Sequence, residues 1–186
     1  MNEDEATVAV IDALEEVGIP YMLVGSFSDN FYGVPRSTQD VDFVLQIGEV
    51  ALAAFSQRLG SQLRSDPQVS FELVMDTTRN TVHLTGIRFG IGLFALSNDP
   101  HDQERFRRRL RVKSLGREVV VPTAEDVIIT KLRWAVQGRR TKDRDDVRDV
   151  IAVQGDRIDW DYVHTWSERH GTREALDEIR RSIPPL

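Results

Sequence analysis

Residues 40–45 read Asp-Val-Asp-Phe-Val-Leu, and this alternation constrains the fold more than any other stretch of the chain. In an extended strand, residues two apart share a face. Val41, Phe43 and Leu45 therefore form one apolar face, while Asp40, Asp42 and Val44 lie on the other. A strand of this kind, taken over residues 39–47, needs a core on one side and carries carboxylates at the start of the other. Ahead of it, Ile19–Val24 is a short apolar run between Gly18 and Gly25, the pattern of a buried strand. Residues 5–17 have helical spacing, with Gly18 as the stop. Residues 26–32 read as a short helix opened by Ser26, a good N-cap type, and Pro35 puts a turn at 33–37.

Further along, residues 49–59 have a helical pattern, whereas 61–79 is ambiguous between helix and strand. A hairpin is expected from Thr81–Leu84 and Arg88–Leu96, turning at Gly86-Ile87. A charged helix over 102–111 and two short strands, 112–115 and 118–121, come next. Three or four helices close the chain, the first opening at Thr123 with Glu125 and Asp126 in its first turn, where carboxylates suit the helix dipole. The others fall near 143–153, 159–169 and 172–182. Strands first and helices later indicate an α+β fold with a helical C-terminal half. The expected division is a core over 1–97 and a mainly helical part over 98–186.

The length of 186 residues fits one domain or a core with a small appended part. With no cysteine, disulfides, thiolate metal sites and cysteine nucleophiles are excluded. The acidic start lacks a signal-peptide pattern, and no apolar run reaches the ~18 residues of a membrane span. The expectation is a cytoplasmic protein with no membrane partner. A net charge of −6 has the wrong sign for non-specific nucleic-acid binding by the whole surface. The charge is uneven, however: Arg105, Arg107, Arg108, Arg109, Arg111 and Lys113 crowd one stretch. That run reads as a solvated helix face or as a local patch for a phosphate-bearing ligand, RNA included.

Asp40 and Asp42 are the sharpest chemical signal. Their carboxylates sit on one face, roughly 6.5–7 Å apart along the strand, and repel each other unless a cation intervenes. Hard oxygen ligands suit Mg²⁺ (or Mn²⁺), which completes its shell with phosphate oxygens and water. Gly25-Ser26 lies about fourteen residues earlier, after a strand and before a helix. There a glycine lets backbone approach a ligand, and helix N–H groups face an anion.

From Val24-Gly25-Ser26 through Arg36-Ser37-Thr38-Gln39-Asp40-Val41-Asp42 the chain resembles the nucleotidyltransferase superfamily, with its Gly-Ser turn and Asp-x-Asp strand. Its small bacterial members, the minimal and abortive-infection toxin-like nucleotidyltransferases, are the most similar. The stretch Pro122-Thr123-Ala124-Glu125-Asp126 to Lys131-Leu132, then Arg140 to Asp146, resembles them too. The resemblance implies a polymerase beta-like mixed sheet flanked by helices and two divalent metals. It also implies transfer of a nucleoside monophosphate from a nucleoside triphosphate, with pyrophosphate released. It assigns Asp40 and Asp42 as catalytic metal ligands, and Gly25 and Ser26 to the β and γ phosphates. Arg36 and Lys131 are further candidates for phosphate. The acceptor is open among a protein, a tRNA and a small molecule.

The family's third carboxylate is missing. Its expected place is Gly92, which can neither bind a metal nor accept a proton. His83 and Thr81 are expected on the same face as Gly92, and Glu72, Asp76 or a partner protein are alternative sources of the missing oxygen. Two readings follow: a transferase, weakened at this position, or a degenerate nucleotide-binding or toxin–antitoxin interaction protein with a protein partner. Among the remaining residues, Lys142, Arg144 and Arg148 interleave with aspartates as on a salt-bridged helix. Trp134, Trp160 and Trp166 are expected to pack the helical half. His101, His164 and His170 have no ligand spacing.

Overall fold

The computed structural model describes residues 2–37, 40–47, 49–86 and 89–184, with the side chains of 49–52 and 67 set aside. Thr38 and Gln39 of the motif, and Ile87 and Arg88 of the expected hairpin, lie outside the described residues. The chain forms two compact units, one of residues 1–27 and 37–121, the other of 28–36 and 122–186. The expected boundary at 97/98 falls inside the first of these.

The first unit is built on a five-stranded mixed sheet. It opens with α1 (Glu3–Glu16). The Asn2 side chain accepts from the Glu5 N–H at 2.8 Å, and the Glu5 carboxylate accepts from the Asn2 N–H at 3.0 Å. This reciprocal cap satisfies two donors that a helix start otherwise leaves open. The helix buries Ala6, Val10, Ile11, Ala13 and Leu14. All four residues of β1 (Tyr21–Val24) are buried. Then come the start of α2 (Ser26–Tyr32), β2 (Asp40–Leu45) and α3 (Glu49–Leu59). The ambiguous stretch resolves into β3 (Leu63–Glu72) and a turn, followed by β4 (Thr77–Leu84) and β5 (Gly90–Ala95).

The sheet order is β1-β2-β5-β4-β3. Strands β2 and β5 run parallel, while the other neighbours are antiparallel. Val41, Phe43 and Leu45 are buried on one face, as their alternation requires. The other face has its own smaller core, in which Met22, Val24 and Val44 pack with Phe106 of α4 (Pro100–Arg108). Strand β3 is one edge of the sheet, β1 the other. Its register slips between Ser65 and Val69, and Val69, Phe71 and Leu73 beyond the slip are exposed. A separate two-stranded sheet, β6 (Leu110–Ser114) and β7 (Arg117–Val121), completes the unit.

Helices make up the second unit: most of α2, then α5 (Ala124–Val136), α6 (Thr141–Gln154), α7 (Trp160–Arg169) and α8 (Arg173–Ser182). Thr123 caps α5 by accepting from the Asp126 N–H, so the helix opens where the sequence indicates. Ile128, Leu132, Val147, Val150, Val163 and Leu176 are fully buried within this unit. Tyr32 ties α2 in place, its hydroxyl donating to the Pro122 carbonyl at 2.8 Å and its own carbonyl accepting from Gln154 at 2.6 Å. Among the described residues, no helix is long and apolar enough to cross a membrane.

Candidate active site

Strand register builds the site. Asp40 stands opposite Gly90 and Asp42 opposite Gly92 on β5. On the far side of β5, Thr81 stands opposite Gly92, so His83 falls opposite Gly90. Directly opposed residues share a face. The result is a strip of β5 with no side chain of its own at two glycines, overhung by Asp42 and Arg79 at Gly92 and by Thr81 and His83 at Gly90. The expectation that His83 and Thr81 face Gly92 follows from this register.

Gly25 closes the aspartate flank. Its φ is +63°, a left-handed conformation that glycine adopts at little cost. A Cβ on Gly25 would lie 2.7 Å from Asp42 Oδ2. Backbone at the β1–α2 turn therefore comes as close to the carboxylate as a side-chain-free residue permits. Helix α2 covers the 26–32 range that the sequence indicates, with Ser26 as its first residue rather than its cap. The charge of Asp40 reaches the start of α1. Partial burial first, then Asp4 and Asp40, raise the Glu3 carboxyl above its ordinary value.

A residue that the sequence left unassigned completes the picture. Arg79 of β4 stacks over the Phe94 ring, 5.3 Å from its centroid, and donates to Asp42 Oδ1 at 3.3 Å. It lay in the ambiguous stretch, and only the strand register shows which way it faces. Glu72 and Asp76 are placed elsewhere. Glu72 accepts from the Val74 and Met75 N–H groups in the β3–β4 turn. It pairs with Thr77, four residues along β4 from Thr81, or about 13 Å at strand rise. Among the described residues, no group of three metal-ligating side chains forms. Two neighbouring carboxylates suit one hard cation that takes its remaining ligands from phosphate and water. They do not make the three-carboxylate set of a two-metal centre.

Arg36 and Lys131 belong to the second unit, where their charges are taken up by aspartates. The Lys131 ammonium lies 2.6 Å from Asp29, 3.0 Å from Asp143 and 2.8 Å from Asp146. Arg36 makes a forked pair with Asp146 at 3.2 Å, and Arg140 meets Asp143 at 3.0 Å. Burial alone would lower the Lys131 pKa, but Asp29, Asp143 and Asp146 together outweigh it and raise it. For Asp29 burial wins over the pull of Lys131, and its carboxyl is pushed up to about 6. Asp146 goes the other way, because Lys131 and Arg36 outweigh its burial.

The secondary candidates divide in the same manner. Arg148 makes the expected exposed pair along its own helix, with Asp145 at 3.2 Å, whereas Arg144 pairs with Glu178 of α8 at 2.7 Å. Asp143 and Asp146 of the same pattern instead turn inward. Trp166 is buried in the helical unit, while Trp134 and Trp160 are half-buried under Arg140 and Arg180. In the basic run, Arg105 is buried against Asp102 at 2.5 Å, which corrects the reading of that whole stretch as a solvated face. Asp102 is anchored by Ser97, and Phe106 beside it enters the sheet core, so the helix is held face-down. Arg107, Arg109 and Arg111 line one shallow groove. Within it, Arg109 lies over the Phe106 ring at 4.1 Å.

Comparison with protein-family models and with curated proteins finds no match to the sequence. Solved structures do match. The solution structure of the antibiotic-resistance factor ANT(2'')-Ia is similar at a TM-score of 0.62 and 16% identity, over 96% of this chain and 96% of that one. The crystal structure of ANT(2'')-Ia in complex with adenylyl-2''-tobramycin gives 0.62 at 14% identity, over 94% and 99%. A putative nucleotidyltransferase from H. pylori gives 0.54 at 15%, over 96% and 80%. At these identities the likeness is one of fold, and the chain has the nucleotidyltransferase fold, a mixed sheet flanked by helices.

Proposed function

We propose that this chain is a nucleotidyltransferase, which binds a nucleoside triphosphate and a divalent cation, Mg²⁺ or Mn²⁺, at Asp40 and Asp42. It then passes the nucleoside monophosphate to an acceptor. The observation that carries this is the Gly25–Asp42 contact, in which a left-handed glycine brings bare backbone against a carboxylate that faces a glycine-floored strip. An alanine at 25 would press its Cβ against Asp42 Oδ2 and force the turn away from the carboxylate.

Asp40 and Asp42 hold the cation, and the Gly25-Ser26 turn receives the phosphates. When bound, the cation withdraws charge from the phosphate oxygens. The acceptor oxygen or nitrogen attacks the α-phosphorus, the bond to pyrophosphate breaks, and the acceptor gives up a proton. His83 is the candidate to take that proton. Its Nδ1 lies 3.3 Å from the Phe89 carbonyl, which can only accept. In the neutral ring Nδ1 then carries the hydrogen and Nε2 keeps its lone pair. Arg36 and Lys131 are not assigned to phosphate, since their partners are Asp29, Asp143 and Asp146.

Nearly complete mutual coverage with ANT(2'')-Ia, whose complex holds adenylyl-2''-tobramycin, supports a small hydroxyl- or amine-bearing acceptor over a protein or a tRNA end. Gly92 favours a second reading, a nucleotide-binding protein that does not transfer and acts through a protein partner.

Calorimetric titration of ATP, GTP, CTP and UTP with Mg²⁺, against an Asp40→Asn/Asp42→Asn variant, tests the site. Binding in the wild type alone supports it, and equal behaviour of the two proteins rejects it. Transfer of α-labelled nucleotide to aminoglycoside-like acceptors then separates the two readings, and a loss of transfer with intact binding in His83→Gln supports the proton role.

A further inference from the structure

Position 92 is closed from two sides. A Cβ built on Gly92 collides with Asp42 Oδ1 and lies 2.9 Å and 3.0 Å from Nε and Nη2 of Arg79. The space that a side chain at this position would need is thus shared by a carboxylate and a guanidinium. The guanidinium reaches it from the neighbouring row of the sheet, since Arg79 stands opposite Phe94, two residues along β5. Its Nη2 meets Asp42 at 3.3 Å. Its Nε is buried and has no hydrogen-bond partner among the described residues. A buried donor left unmade is unfavourable, and this one lies beside Gly92, where a ligand oxygen would satisfy it.

We propose that Arg79 is a resident cation that stands in for one of two divalent ions, so that the site is built for a single metal ion and a triphosphate. The charge arithmetic supports this. Relative to a site with a carboxylate at 92, this one lacks one negative charge and gains one positive charge. That makes it two units more positive, which is the charge of one divalent ion. Arginine suits the part because it stays charged at any working pH and offers several donors in one plane. The Nη2 edge holds Asp42, and Nε is left for a phosphate oxygen. The inference rests on the reading of Asp40 and Asp42 as the metal and triphosphate site.

The test is to count Mn²⁺ ions per chain by electron paramagnetic resonance, with and without a non-hydrolysable triphosphate analogue. Wild type and Arg79→Lys should bind one ion with the analogue, and the Arg79→Met/Gly92→Asp variant two. Without the analogue, Arg79→Met should bind its ion about tenfold more tightly than wild type, because Asp42 loses a competing cation. Two ions in the wild type, or one in the folded double variant, would overturn the inference and leave the reading of the site intact. If the double variant does not fold, unchanged or weaker Mn²⁺ binding by Arg79→Met overturns it and tighter binding supports it. Wild-type Mn²⁺ binding that is absent, or unaltered by Asp40→Asn/Asp42→Asn, would instead sink the reading of the site.

Discussion

Two acidic clusters in this chain have opposite designs. In the helical unit, Asp29, Asp143 and Asp146 are buried and face Lys131, Arg36 and Arg140, three cations for three anions at 2.6–3.2 Å. On the sheet, Asp42 keeps a longer contact, 3.3 Å to Arg79, with both side chains partly open to solvent at 17% and 32%. The first cluster is neutralised within the protein and serves the fold. The second keeps partial solvent access and has one cation, Arg79, beside it. Acidic residues in both clusters look alike in the sequence. What separates them is whether the tertiary structure brings enough fixed positive charge to them.

The largest expected effect breaks the first cluster. Lys131→Met should cost about 3–5 kcal/mol, because three buried carboxylates lose a shared cation. Urea unfolding measures this, and a stable variant that loses only nucleotide binding would reverse the assignment of Lys131. Asp40→Asn/Asp42→Asn is the contrasting case. It should weaken Mg²⁺-dependent nucleotide binding about a hundredfold, or ~2.7 kcal/mol, with unfolding within about 1 kcal/mol of wild type because a like-charge pair is relieved.

The pH dependence of stability sharpens the comparison further. Asp29 has a folded pKa of about 6 against an ordinary value of 3.8, so between these values the folded state binds more protons than the unfolded one. Its contribution is therefore full below about pH 4 and is lost as pH rises through 6, on the order of 2–3 kcal/mol. Asp146 is lowered and acts in reverse, its contribution being lost as pH falls below its ordinary value of 3.8. Asp29→Asn should flatten the decline between pH 4 and 6, as read from unfolding midpoints across that range. A decline of undiminished slope would mean that Asp29 is not its source. The smallest effect is expected from Gly25→Ala. Strain at φ +63° and the contact with Asp42 should together cost about 1–2 kcal/mol, with nucleotide binding weakened alongside. Unchanged binding would detach Gly25 from the site.

Local patterns made much of this legible in the sequence. The alternation at 40–45 predicts both the buried face of β2 and the side on which its aspartates lie. Gly25 and Gly92 could be picked out because their places relative to that strand follow from chain order. Arg79 could not. Strand β3 is an edge with a register slip and exposed apolar residues, so its segment lacks the period that a half-buried strand displays. Without that register, the facing of β4 up to residue 79 is undetermined. Lys131 shows the other limit. Its place in line with an apolar stripe marks it as inward-facing, but its partner Asp29 is 102 residues away. No helical spacing rule connects the two.

The edge strand has a practical consequence. Val69, Phe71 and Leu73 beside an open strand edge form a template for pairing between molecules. Net charge is what keeps such molecules apart in solution, and this chain's charge passes through zero near pH 5.3. That value falls inside the interval in which Asp29 titrates. Pairing through β3 is thus expected to be strongest in the same pH range in which Asp29 titrates, so light scattering should be recorded alongside the unfolding midpoints to separate the two.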